Sequence, residues 1–171
     1  VTDESVLPEV LHPWTIYLRA SEEARCRGDR RIGTDHVLLG LLDYPAIEVL
    51  VGVSLQQARQ ALASLDHEAM QAVGLGSAAD APALAMRAVA NKPTLRTVMT
   101  RDRLRMTPAA KKVLEEAVKP MRRKTQVTAQ QVLAQILALR SPDPAAVLLA
   151  TLGVDTLELR RRVGVTTPDG R

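Results

Sequence analysis

The segment Gly28-Asp29-Arg30-Arg31-Ile32-Gly33-Thr34-Asp35 carries the glycine spacing of a phosphate-binding loop. Such a loop needs a lysine after its second glycine to reach the phosphates, and a strand leading into it. Thr34 stands in the lysine's place, Asp35 would repel a phosphate, and no strand pattern precedes the segment. It reads as an ordinary loop, and the chain not as an ATPase. The three histidines, His12, His36 and His67, show no paired metal-ligand spacing, and Cys26 has no second cysteine, so zinc is not expected. His36, on the first turn of a helix, reads as a packed or hydrogen-bonded structural residue. No GxSxG elbow activates a serine. Glu22 with Glu23 and Glu115 with Glu116 are helix neighbours, which point about 100° apart and make no ready pair of acid and base. The expectation is a non-enzymatic chain with no catalytic residues, no cofactor and no metal.

The elements that would position any site must be built from an aliphatic core. Of 171 residues 46% are hydrophobic, yet there is no Phe, one Trp and two Tyr. Leu and Ala favour helices, and strands usually draw on aromatic and β-branched residues, so an all-α fold is predicted. A lone cysteine gives no internal disulfide, and nothing suggests an oxidising compartment. The first twenty residues lack a basic start followed by an apolar run, and no apolar stretch approaches a membrane span. The expected location is therefore cytoplasmic, with no membrane partner. Net charge is +4, but 23 basic and 19 acidic side chains make a mixed surface. Solvated helix faces account for most of the charge.

Two stretches resemble each other: Ile32-Gly33-Thr34-Asp35-His36-Val37-Leu38-Leu39-Gly40-Leu41-Leu42 and Val127-Thr128-Ala129-Gln130-Gln131-Val132-Leu133-Ala134-Gln135-Ile136-Leu137. Apolar residues coincide at their first, sixth, seventh, tenth and eleventh places. The first continues to Val51-Gly52-Val53-Ser54 and Arg59, the second to Leu152-Gly153-Val154-Asp155 and Arg160. Helix-like runs precede them, from Trp14 to Arg27 and from Thr107 to Lys124. Such internal similarity points to one helical unit written twice. In each copy the wide stripe of Val37, Leu38, Leu41 and Leu42, or of Val132, Leu133, Ile136 and Leu137, predicts a helix near the centre of a bundle. Four short helices cannot bury both faces alone, so the copies should pack as a pseudo-symmetric pair.

Local capping chemistry sets the expected boundaries. Thr34 and Thr128 precede apolar runs where a hydroxyl can accept a backbone N–H, and Thr128 with Gln131 has capping-box spacing. Ser54 with Gln57 repeats that spacing, and Asp155 with Glu158 is a carboxylate version. Thr107-Pro108 and Asp143-Pro144 place a cap before a first-turn proline. Gly52 and Gly153 suit left-handed helix ends, and Pro120 should break or kink its helix. The copies are assigned to residues 12–65 and 106–163, with a join over 66–105 and a tail over 164–171. The join has loop character at Gly74-Leu75-Gly76-Ser77, a helix-capable run from Pro82 to Ala90, and a basic strip at Arg101, Arg103 and Arg105.

With these residues in view, the sequence resembles the Clp N-terminal repeat, a tandem pair at the front of ClpA- and ClpC-type AAA+ unfoldases. Ser21-Glu22-Glu23-Ala24-Arg25 is similar to the family's QEEAR, and residues 32–42 to IGTEHILLGLL. Met106-Thr107-Pro108-Ala109-Ala110-Lys111-Lys112-Val113-Leu114 is similar to FTPRAKKVL. The resemblance implies two four-helix Clp-N repeats forming a docking module that receives adaptors and substrates for an ATPase ring. In some members the acidic residue of GTEH helps bind phosphoarginine. That position is Asp35 here, and its match is Gln130, which cannot form the same charge-assisted bond. The family's aromatic residue before TPRAKK is Met106. No ATPase module follows Thr166-Thr167-Pro168-Asp169-Gly170-Arg171, so the resemblance leaves a fragment of a longer unfoldase or a free-standing Clp-N-like protein, and the long join, unusual in the family, favours the second.

The expected function is protein binding within the Clp chaperone and protease system, with unfoldases, adaptors or substrates as partners. The contact surface is placed where the copies meet, at the helix starts Thr34-Asp35 and Thr128-Gln130, and Met106 and Thr107 are further candidate binding residues. The alternative is a small basic helical regulator that binds nucleic acid. It rests on Lys111-Lys112, Arg122-Arg123-Lys124 and Arg160-Arg161-Arg162, the last two of which near helix C-termini also suit the helix dipole.

Overall fold

The computed structural model describes residues 10–74, 103–119 and 127–164. The Pro82–Ala90 run, Pro120 and the Arg122-Arg123-Lys124 cluster lie outside these residues. Within them the chain is mostly helical, as the composition predicts. The first half runs β1 (Val10–Leu11), α1 (Pro13–Arg27), β2 (Arg31–Ile32), α2 (Thr34–Leu42), α3 (Pro45–Val51) and α4 (Leu55–Ala72). The second runs β3 (Arg105–Met106), α5 (Pro108–Val118), β4 (Val127–Thr128), α6 (Ala129–Leu137), α7 (Pro144–Thr151) and α8 (Thr156–Arg162). The succession strand, helix, strand and three helices thus occurs twice.

The two-residue strands are a departure from the purely helical expectation. β1 pairs antiparallel with β4, and β2 pairs parallel with β3, so each pairing joins one half to the other. The partners correspond by position in the two halves, whereas the strand directions do not.

Helix starts follow the expected chemistry. Gln57 N–H donates to Ser54 Oγ at 3.2 Å, and Ser54 N–H donates back to Gln57 Oε1 at 2.9 Å. Thr128 and Gln131 make the same reciprocal box at 3.1 and 2.9 Å. Thr107, Asp143 and Asp155 each accept a first-turn N–H. Each such cap contributes on the order of 1 kcal/mol. Gly52 and Gly153 adopt φ of 75° and 68°, the left-handed turn expected after α3 and α7.

Two expectations are corrected. Thr34 is not a cap: Gly33 occupies that position and Thr34 is the first helical residue. Of the helix expected from Thr107 to Lys124, α5 covers Pro108–Val118 with Thr107 as its cap, and residues 120–124 lie outside the described residues. The helix placed inside 12–65 continues to Ala72, so the first seven residues assigned to the join are helical.

The aliphatic core is centred on α2, all nine of whose residues are buried. It packs against α1, α3 and α4 of its own half and against α5, α6 and α7 of the other. On α6, Val132, Leu133, Ile136 and Leu137 face the core, as their spacing predicts. Contacts across the halves also include α3 with α8 and α4 with α7, a reciprocal exchange of third and fourth helices. The α1–α2 crossing is close because Gly40 has no side chain: a Cβ there would lie 2.9 Å from Ala20 N and 3.0 Å from Arg19 Cβ. Glu23, 7% exposed, ties α1 to α4 through both carboxylate oxygens, accepting from Arg59 Nε at 3.0 Å and Nη2 at 2.5 Å. The second half differs, since Arg160 Nε is buried without a partner and Glu116 pairs with Lys119.

Candidate docking site

Two candidate places stand out, and only the first holds expected site residues. The first surrounds the start of α2, where β2 delivers the chain into the helix. Thr107 N–H donates to Ile32 O at 2.8 Å, extending the β2–β3 pairing. Half-buried Met106 and Thr107 therefore sit beside the entrance to α2, next to Ile32 and Gly33. Thr128 instead ends β4, where it pairs in register with Val10, and Gln130 follows in the first turn of α6. The structure thus places Met106 and Thr107 with the first helix start, and Thr128 with the first strand.

At that first start the polar groups are turned into the fold. Thr34, 1% exposed, donates from Oγ1 to Asp143 Oδ1 at 2.7 Å and accepts from Ala145 N–H at 3.4 Å. It therefore links α2 to the cap of α7, more than one hundred residues away in sequence. His36 Nδ1 accepts Gly33 N–H at 3.0 Å, which closes the start of α2 in the manner of a capping box. With that nitrogen accepting, a neutral ring carries its proton on Nε2, which lies 2.9 Å from Asp29 Oδ2. The expected structural role of His36 is what this geometry serves.

Asp35, 7% exposed, is drawn into the same network. Arg27 lies among three carboxylates: Nε is 3.2 Å from Asp29 Oδ2, Nη1 is 3.7 Å from Asp35 Oδ2, and Nη2 is 2.7 Å from Asp66 Oδ2. Burial pushes the Asp66 carboxyl above its ordinary value, Arg27 pulls it back, and Asp29 and Asp35 add to the rise. The Arg27 guanidinium of this chain already lies 3.7 Å from the candidate carboxylate. What the helix start does is join α1, α4, α7 and β3 around α2.

The second is the joint between the matched Gly-Val turns. Leu50, Val51, Gly52 and Val53 face Leu152, Gly153, Val154 and Asp155 across an open hollow of about 230 Å³. Pockets for small molecules usually begin near 300 Å³ and are more enclosed, so this hollow has room for one or two side chains of a partner. Glu158 and Arg162 complete its rim. No spacing rule pointed to it, although the two Gly-Val pairs that form it were visible as a repeat.

The basic clusters separate as well. Arg160, Arg161 and Arg162 occupy the last turn of α8, where cations complement the dipole, and Glu158 meets the second and third of them. Lys111 pairs with Glu115 on the exposed face of α5. Among the described residues no group of His, Cys, Asp and Glu has the geometry to hold a metal ion. No described helix is long and apolar enough to cross a membrane. In comparisons with known proteins, no family model matches the chain, and no curated protein matches its sequence.

Proposed function

We propose that the chain is a non-catalytic docking module of the Clp type, a tandem pair of four-helix repeats that binds unfoldases, adaptors or their substrates. The observation that carries this is the order of elements. Strand, helix, strand and three helices are written twice, with matching caps at Ser54 and Asp155 and matching turns at Gly52 and Gly153. Reciprocal packing of α3 with α8 and α4 with α7 supports a paired arrangement. The similarity of residues 21–25, 32–42 and 106–114 to Clp repeat motifs supports the family.

The geometry also changes where contact is proposed. Thr34 ties the halves together through Asp143, and Asp35 belongs to the charge network around Arg27 within the first half, so their substitution acts through stability. Partner contact is assigned instead to half-buried Met106 and Thr107 and, separately, to the hollow around the Gly52 and Gly153 turns. Affinity capture on the immobilised chain, followed by identification of bound proteins, tests the function. Enrichment of a Clp unfoldase, its adaptor or its clients is expected. Repeated capture from native lysate that never enriches any of these overturns the proposal.

A further inference from the structure

One surface concentrates cations without ion-pair partners among the described residues. In the β2–β3 pair Arg31 lies directly opposite Arg105, and both side chains are exposed. Residues paired across strands project to the same face, where like charges repel. Two residues back along the chain, Arg103 lies 5.1 Å over the ring of Trp14. Trp14 is stacked on Tyr17 with ring centroids 4.7 Å apart, and Tyr17 Oη donates to Leu104 O at 2.9 Å. The 103–105 segment is therefore pinned to α1 on one side and to β2 on the other. Arg31, Arg103 and Arg105 form no ion pair among the described residues, in contrast to Arg19, Arg27 and Arg59 on neighbouring surfaces. The arrangement keeps repelling cations in place on a rigid backbone, and Trp14 stays 41% exposed at its edge.

We infer that this face binds a carboxylate-rich segment of a partner protein, its acidic side chains spanning Arg31, Arg105 and Arg103 and its apolar atoms touching only the part of Trp14 that Tyr17 and Arg103 leave exposed. The inference names a partner chemistry for the docking proposal, and rests on that proposal for the partner being a protein. Carboxylates suit the paired guanidinium groups, each of which offers a planar fork of donors. A nucleic acid fits less well. Single strands are held by bases stacked on aromatic faces, and the indole is already stacked on Tyr17 and covered by Arg103, so a base would have to displace one of them.

The test is anisotropy of a labelled glutamate homopeptide titrated with the full chain at low salt, with emission from Trp14, the sole tryptophan, as a local reporter. Saturable binding with a change in Trp14 emission is expected, weakening as salt rises. Arg31→Glu with Arg105→Glu should weaken binding about tenfold or more. Lys111→Glu with Lys112→Glu changes net charge equally on α5 and should leave affinity within about twofold. Circular dichroism confirms that each variant folds, and Arg31→Gln with Arg105→Gln repeats the comparison if charge reversal disturbs the fold. No binding at low salt, equal loss in both double variants, or tighter binding of a single-stranded oligonucleotide of equal charge would overturn the inference. Loss of peptide binding with Clp capture intact sinks only this inference. Peptide binding that survives failed capture sinks the Clp assignment instead.

Discussion

Replacing Gly40 by alanine sets two effects of opposite sign against each other. Alanine is the better helix former by about 1 kcal/mol, so on propensity alone the variant gains stability. The added Cβ, however, would lie 2.9 Å from Ala20 N, 3.0 Å from Arg19 Cβ and 3.2 Å from Arg19 C. Two of these three atoms are backbone, which no rotamer change can move. Helix α1 must shift away from α2 by several tenths of an ångström to restore ordinary contact, loosening Ile16, Ala20 and Ala24 against the wholly buried α2. Overpacking of this kind costs about 1–3 kcal/mol, and more when backbones must part. The net expectation is a loss on the order of 1–2 kcal/mol, which for a chain of this size lowers the melting midpoint by roughly 2–8 °C. Thermal unfolding followed by circular dichroism reads the melting midpoint, and Gly40→Val should be worse than Gly40→Ala. A Gly40→Ala variant as stable as the parent, or more so, would refute the reasoning, since propensity would then outweigh the crossing.

Three further perturbations follow from the same packing. Arg59→Ala leaves the Glu23 carboxylate buried beside α4 without its partner and is expected to cost about 2 kcal/mol in urea unfolding, below the figure for fully buried pairs because Arg59 is partly exposed; no loss would show that the pair contributes nothing net. Thr34→Val and Asp143→Ala should each destabilise by about 1–2 kcal/mol, with a coupling of at least about 0.5 kcal/mol in a double-mutant cycle; strict additivity would mean the 2.7 Å bond between the halves is not formed. Burial pushes the Glu22 carboxyl above its ordinary value, more than neighbouring Arg19 lowers it. A raised carboxyl favours the neutral form in the fold, so ionised Glu22 weakens the fold above that raised value and the penalty disappears below the unfolded value of about 4.3. Glu22→Gln should therefore raise the midpoint at pH 7, the gain shrinking as pH falls through the carboxylate range; a gain that persists at pH 3 would contradict the assignment.

Features decided within a few residues were legible in the sequence. Ser54 with Gln57 and Thr128 with Gln131 announce helix starts because cap and first turn lie three residues apart, and Gly52 and Gly153 announce helix ends for the same local reason. Leu38, Leu41 and Leu42 reveal a buried helix by spacing alone. Pairings between distant segments were not legible. A two-residue strand has no period to detect, so the joins of β1 with β4 and β2 with β3 escaped notice. Thr34 reads as a cap because its hydroxyl suits one; only the approach of Asp143, from the other half, redirects that hydroxyl and leaves the cap to Gly33 and His36. The polar run Asp66-His67-Glu68 reads as a join, yet no glycine or proline interrupts the helix before Gly74, and α4 continues on propensity. Asp35 kept the type of a binding residue while Arg27, shared with Asp29 and Asp66, drew it into a charge network of the chain itself, which spacing could not show. The Arg31–Arg105 face became visible only when the register of two short strands was known.

Direct titration of the purified full chain against a purified ClpC-type unfoldase, a Clp adaptor and an unfolded client, followed by calorimetry, tests the docking claim most directly. The account expects saturable binding to at least one of them with a dissociation constant in the micromolar range (about −8 kcal/mol) and weakened by substitutions at Met106 or along the Gly52–Gly153 joint. Heats indistinguishable from dilution for all three, at concentrations well above that range, would contradict it.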